Sequence, residues 1–151
     1  MKDLSKLFYP GSVAVIGASE NVLKWGSIII SNVLDGGFKG EVHPVSTSNE
    51  TVYGRRASKS LRDIGAPADL LIITTPAATV MGILRDCVAT GIRNVVIVSS
   101  GFSEAGEEGR RHEREVREFA LANGLNVVGP NTMGIANFKE GLHGMFSHVR
   151  L

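Results

Sequence analysis

The residues in this sequence best suited to hold a ligand are small, hydroxylated or amide-bearing, and they recur directly after apolar runs. Gly17-Ala18-Ser19 follows one such run, Val45-Ser46-Thr47 ends a second, and Thr75-Pro76 closes a third. Ser99-Ser100-Gly101 and Gly129-Pro130-Asn131-Thr132 follow a fourth and a fifth. These groups supply hydrogen bonds and backbone N–H donors, and none of them is a carboxylate, a histidine or a cysteine. General acid–base and nucleophilic chemistry both need a positioned titratable or activated group. The set therefore predicts a binding edge rather than a catalytic one. Taken singly, each turn also reads as an ordinary structural turn; their coincidence favours a ligand.

Such residues can act together only if the chain collects them on one side of a scaffold. Ser12 to Ile16 is an apolar run of strand length that ends in Gly17, and Trp25 to Leu34 carries Trp25, Ile28, Ile29, Val33 and Leu34 at helical spacing before Gly36-Gly37. That pattern predicts a buried strand, a tight turn and a helix whose N-terminal N–H groups and dipole attract phosphate. Glu41 to Val45 reads as a second strand, Ser60 to Ile64 as a short helix, and Asp69 to Thr75 as an almost wholly apolar third strand. Pro76 suits the first turn of a helix over 77–90, because its missing N–H would have no intrahelical partner there. Asn94 to Ser99 predicts a fourth strand, and Asn126 to Val128 a fifth. Between them, the charged stretch 104–123 has Val116, Phe119 and Ala120 as its apolar stripe, with Glu113/Arg117 and Arg114/Glu118 at i, i+4 spacing. Strands alternating with helices imply an α/β fold with a doubly wound, mainly parallel sheet of five or more strands. In such sheets ligands bind beyond the carboxyl ends of the strands, where all five turns would lie.

Composition narrows the ligand. The 151 residues carry a formal charge of +1 with no basic blocks, which argues against a nucleic-acid surface. No apolar run reaches membrane-spanning length, and the polar N-terminus does not open like a signal peptide, so the cytoplasm is the expected location. Cys87, the single cysteine, sits among Leu84, Val88 and Ala89 and reads as core filling. His43, His112, His143 and His148 are scattered without metal-ligand spacing. The G-x-G-x-x-G fingerprint is missing, since Gly26 is the next glycine after Gly17, and the second strand ends without an acid for an NAD ribose. Ser46 and Thr47, with Arg55 and Arg56 further on, could accept a phosphorylated ribose, as in NADP or coenzyme A. Solvated loop charges are the alternative for the two arginines.

Taken in order, these segments resemble the N-terminal CoA-binding domain of NDP-forming acyl-CoA synthetases, such as ADP-forming acetate–CoA ligases and, more distantly, the succinyl-CoA synthetase alpha subunit. The resemblance rests on Leu7-Phe8-Tyr9-Pro10, the run Ser12 to Ser19, Gly37-Phe38-Lys39-Gly40, Val42-His43-Pro44-Val45, Thr75-Pro76-Ala77, Ser99-Ser100-Gly101-Phe102 and Gly129 to Ile135. It implies a Rossmann-like domain over 1–137, with 138–151 as a tail leading toward a following domain. It also implies coenzyme A as ligand, with contacts from the loop Gly17, Ser19, Glu20, Asn21, Val22 and Lys24, from Ser46 after the second strand, and from Thr75 and Pro76. Val98, Ser99, Ser100, Gly101 and Asn131 complete the expected site.

In the complete enzymes of that family, acid, CoA and ATP interconvert with acyl-CoA, ADP and phosphate through an acyl phosphate and a phosphohistidine. The phosphohistidine-bearing domain and the ATP-grasp domain or subunit are separate parts, so this chain alone is expected to bind rather than catalyse. The alternative is a CoA- or nucleotide-sensing module of a multidomain regulator such as a lysine acetyltransferase; an NADP-dependent reductase is a third reading. The sequence departs from the family pattern where Ser46-Thr47 replaces the usual Asn-Pro, where Thr132 replaces a cysteine, and at Trp25, usually a small aliphatic. Core packing and a lid over the ligand are the two readings of Trp25. In the tail, Phe138, Leu142, Met145 and Phe146 either meet a neighbour or pack back on their own domain.

Overall fold

A computed structural model describes residues 3–147. Its central strands are β1 (Ser12–Ile16), β2 (Glu41–Val45), β5 (Leu70–Ile73), β6 (Asn94–Ile97) and β7 (Asn126–Val128). They form one sheet, entirely parallel, in the order β2-β1-β5-β6-β7. Two short strands, β3 (Thr51–Val52) and β4 (Arg55–Arg56), form a hairpin between β2 and β5. The helices are α1 (Ser5–Phe8), α2 (Trp25–Asp35), α3 (Ala77–Thr90) and α4 (Glu107–Ala122). The doubly wound α/β class expected from the strand and helix pattern is what forms.

Successive residues of a strand face opposite sides of the sheet, so an apolar run buried on both faces feeds two cores. Leu71 and Ile73 point to a core closed by α3 and α4, and Leu70 and Ile72 to one that includes Ile29, Ile30 and Val33 of α2. Cys87 fills the first core. Burial, with the Asp86 carboxylate next to it, pushes its thiol up to about 12, so it stays protonated and inert.

The second face differs from a purely helical cover. Beside α2 lies an antiparallel hairpin, β8 (Gly134–Asn137) and β9 (Leu142–Met145), reached through a cis Gly129–Pro130 bond. Leu142 is fully buried in that core, and a β-carbon on Gly144 would press on Ile72. The hairpin is thin because glycine lets its backbone lie close to the sheet. The tail therefore packs back on the body as far as β9, while Phe138 stays exposed and His148 lies outside the described residues.

Smaller departures have local causes. The predicted helix at 60–64 is a single 3-10 turn, Leu61–Ile64, opened by reciprocal bonds between Ser60 and Asp63. The charged helix begins only at Glu107, because Gly106 at φ 102 breaks it from a 3-10 turn at Ser103–Ala105. Glu113 accepts the Ser103 N–H at 3.0 Å, and Arg114 reaches back to Glu107 at 3.7 Å.

Candidate functional site

The chain runs outward from β1 to β2 on one side, then returns to the other side of β1 with β5. The carboxyl ends of β1 and β5 therefore flank the point where strand order reverses, which opens a crevice in this architecture. Gly17 turns the chain off β1 at φ 90, and its N–H and that of Ala18 both donate to the Val45 carbonyl, at 3.1 and 3.2 Å. On α2, a β-carbon at Gly26 would collide with the Gly17 carbonyl oxygen. The two glycines thus bring the start of α2 against the turn, the close helix–turn approach that the spacing of a dinucleotide fingerprint achieves elsewhere.

Between them, residues 18–24 form a loop held by its own side chains, buried at Ala18 and Ser19 and exposed over 20–24. Ser19 Oγ accepts the Asn21 N–H at 3.1 Å, and Asn21 Oδ1 accepts the Leu23 N–H at 3.1 Å. The Glu20 carboxylate accepts the N–H of Tyr53 at 2.7 Å, and the Tyr53 hydroxyl lies 2.7 Å from Ser27 Oγ. The β3–β4 turn, with Tyr53 and Gly54 both at positive φ, is strapped to the loop by these bonds. Among the described residues, the N–H groups of Val22, Trp25 and Gly26 take no partner. They stand at a helix start, where the dipole and open donors suit a phosphate.

Two cavities meet over this turn. One of about 370 Å³ is lined by Gly17, Ser19, Lys24, Ser46, Thr75 and Pro76, together with Thr47, Lys59 and Thr79. The other, about 400 Å³, shares Gly17, Lys24, Thr75 and Pro76 and adds Leu23 and Trp25. The structure thus gathers six of the sequence-predicted site residues around one cavity. Its β2 side is hydroxyl-rich and carries the Lys59 ammonium, which donates to the carbonyls of Thr47 and Asn49 at 3.4 and 3.1 Å. The α2 side is walled by apolar Leu23 and Trp25. Arg55 and Arg56 line neither cavity; Arg56 lines a separate depression.

Further along the rim the remaining predicted residues lie outside both cavities. Val98 and Ser99 are buried, and the Ser99 hydroxyl donates to the Thr75 carbonyl, so it ties β6 to the β5 turn. Ser100 is exposed. The N–H groups of Gly101 and Phe102 donate to the Glu104 carboxylate, and Asn131, at φ 53, donates its N–H to the Ser99 carbonyl at 3.0 Å. The Gly101 amide foremost, with the Glu104, Phe102 and Asn131 groups, holds the Glu104 carboxyl below its usual value. Two carboxylates, Glu20 and Glu104, therefore do reach this rim, each committed to loop N–H groups.

Sequence reasoning missed Lys59 and Tyr53. Tyr53-Gly54 between two extended pairs is a two-residue hairpin signal; the hairpin brings Tyr53 against the loop, and the chain leaving it pairs through Ser58 with the end of β2, which sets Lys59 at the groove. Among the described residues, no three His, Cys, Asp or Glu side chains gather as a metal site, and no helix is long and apolar enough to cross a membrane.

Comparison with known proteins gives a consistent result. The family described as CoA binding domain matches residues 11–137. An ADP-forming acetate–CoA ligase II of Archaeoglobus fulgidus is 44% identical over 139 residues, covering 92% of this chain and 21% of that protein. An ADP-forming 4-hydroxybutyrate–CoA ligase of Nitrosopumilus maritimus is 38% identical over 136 residues, which is 90% of this chain and 19% of that protein. Among solved structures, the dinucleotide-forming acetyl-coenzyme A synthetase 1 of Ca. Korarchaeum cryptofilum, in complex with phosphate and ADP, superimposes with a TM-score of 0.92 at 34% identity. That match covers 98% of this chain and 32% of the other. The chain thus spans about a fifth of the two curated relatives and about a third of the solved one.

Proposed function

The chain belongs to the family of CoA-binding domains, and from that premise we propose that it holds coenzyme A for a larger ADP-forming acyl-CoA synthetase. The observation that carries the reading is the groove at the reversal point, where open N–H groups of α2 face a hydroxyl-lined cavity. The pyrophosphate of the ligand rests on the loop 17–24 and the start of α2. The adenosine end, with its ribose phosphate, lies toward Ser46, Thr47 and Lys59, where polar groups and a cation concentrate. The thiol arm runs past Thr75 and Pro76 along the apolar wall. Ser99, Gly101 and Asn131 shape the neighbouring turns that the thiol meets.

In this reading the domain presents the thiol and other parts complete the chemistry. Acid, CoA and ATP give acyl-CoA, ADP and phosphate only when a phosphohistidine-bearing domain and an ATP-grasp domain or subunit join it. Residues 1–137 hold the ligand and 138–151 lead toward the next domain, with the β8–β9 hairpin anchoring the start of that lead. A cytoplasmic location fits the small, diffusible ligand. Calorimetry on the 151-residue chain tests the proposal: saturable heat with CoA, and none with dephospho-CoA or NADH, is expected. Silence toward every form of CoA overturns it.

A further inference from the structure

Trp25 is the single tryptophan of the chain, and it opens α2 directly after the phosphate-binding loop. One side of the residue lines the apolar part of the groove. Its indole also stacks on Phe146, with ring centroids 5.1 Å apart and planes 14° apart. Phe146 belongs to the segment that leaves β9, and that segment is held firmly. Its N–H donates to the Met133 carbonyl at 3.1 Å, and the Asn32 side-chain amide donates to the carbonyls of Met145 and Ser147 at 2.7 and 2.9 Å. Asn32 lies about two turns along α2 from Trp25. The same helix therefore grips the ligand loop at its start and the departing segment along its flank.

We infer that Trp25 is a positioning residue that couples the thiol arm of bound coenzyme A to the segment at Phe146, from which the rest of a longer chain would continue. A flat ring packed between a ligand and a strand end cannot tilt for one without displacing the other, because packed contacts are lost over fractions of an ångström. Filling the apolar part of the groove fixes the indole, and the indole in turn fixes the direction in which the chain leaves the rim. The thiol arm and the departing segment are thereby held in one orientation relative to each other. This inference rests on the proposal that the groove holds coenzyme A, and its test separates the two.

Because Trp25 is the only indole, intrinsic fluorescence reads its environment without a label. CoA should produce a saturable fluorescence change whose midpoint equals the calorimetric one, whereas adenosine 3′,5′-bisphosphate, which lacks the arm, should bind without it. Phe146→Ala should abolish the change while lowering CoA affinity by no more than about tenfold, the ceiling for one lost aromatic pair. Phe146→Tyr should restore the change, and CoA should slow amide exchange in 143–147 in the wild-type chain but not in Phe146→Ala. Heat of CoA binding without a fluorescence change, or an undiminished change in Phe146→Ala, overturns the coupling alone. Absence of any CoA heat overturns the groove assignment and the coupling with it.

Discussion

The two rims of the sheet use the same residue types for opposite ends. At the amino rim, Ser12 Oγ accepts the Asp69 N–H at 3.0 Å, and the Asn94 amide donates to the Asp69 carbonyl at 2.9 Å. The Asn126 amide then donates to Asn94 Oδ1 at 2.8 Å, and the Asp69 carboxylate accepts the Gly11 N–H at 2.7 Å and Lys6 Nζ at 3.0 Å. These bonds run from β1 through β5 and β6 to β7 and join residues far apart in sequence. At the carboxyl rim cross-strand ties such as Thr74 Oγ1 to the Ile16 carbonyl stand beside many side-chain bonds that close within a turn, as from Asn21 to Ser19, Asn49 to Ser46 and Gly101 to Glu104. A rim whose polar groups bond across strands holds the sheet together. A rim where many turns bond to themselves leaves donors and space for a ligand.

Substitutions on either rim should separate stability from binding, and the largest effect belongs to Gly26. Gly26→Val drives a side chain into the Gly17 carbonyl, so α2 must move off the turn. We expect a loss of about 3 kcal/mol in stability together with loss of measurable CoA heat. Retained binding would show that the close approach does not shape the groove.

Asn94→Ala sharpens the contrast from the other side. It takes the side-chain donor from the Asp69 carbonyl and leaves the Asn126 amide with the Asp3 carbonyl as its remaining acceptor, which should cost about 1–3 kcal/mol in denaturant unfolding. CoA affinity should stay at the wild-type value, and a parallel fall would erase the distinction between the rims.

Asp69 gives the amino rim a pH signature. Partial burial works against its ionisation, but the Lys6 ammonium and the Gly11 and Ser12 backbone groups overcome that and hold its carboxyl below the usual value of 3.8. A folded-state value below the unfolded one contributes stability above the unfolded value, and that stability is lost as pH falls through the folded value. Asp69→Asn should therefore be less stable than wild type at neutral pH, and the gap should close as pH drops below about 4. A gap that persists at low pH would mean that the carboxylate charge is not what holds the rim.

Lys59→Ala is the mildest test. The ammonium is exposed, so its removal should weaken CoA binding by about 0.5–1 kcal/mol, fading as salt is added, with melting unchanged. An effect insensitive to salt would assign Lys59 a packing role instead.

Much of the fold was legible in the chain. The five strands and the helix 77–90 follow from apolar runs punctuated by Gly17, Pro76, Ser99-Ser100-Gly101 and Gly129, because burial on both faces demands runs of that kind. The groove residues Gly17, Ser19, Ser46, Thr75 and Pro76 follow from lying just past strand ends, and Lys24 came from the family resemblance. Lys59 was not legible, since it reaches the groove only because Ser58, after the β3–β4 hairpin, pairs with the end of β2. The hairpin at 134–145 was equally silent, because glycine-rich segments of four residues carry no strand periodicity.

What the sequence determined alone is the periodic burial that forces a parallel sheet, and with it the edge where small residues and open N–H groups collect. What only the tertiary structure decided is which polar groups remain available to a ligand. The Ser99 hydroxyl is taken by the Thr75 carbonyl, Glu20 by the Tyr53 amide, and the Trp25 ring is shared with Phe146, each through a partner that no local pattern names. The reason is that periodicity reports which face a residue turns inward, whereas hydrogen-bond and ring partners depend on how distant segments meet once the core has closed.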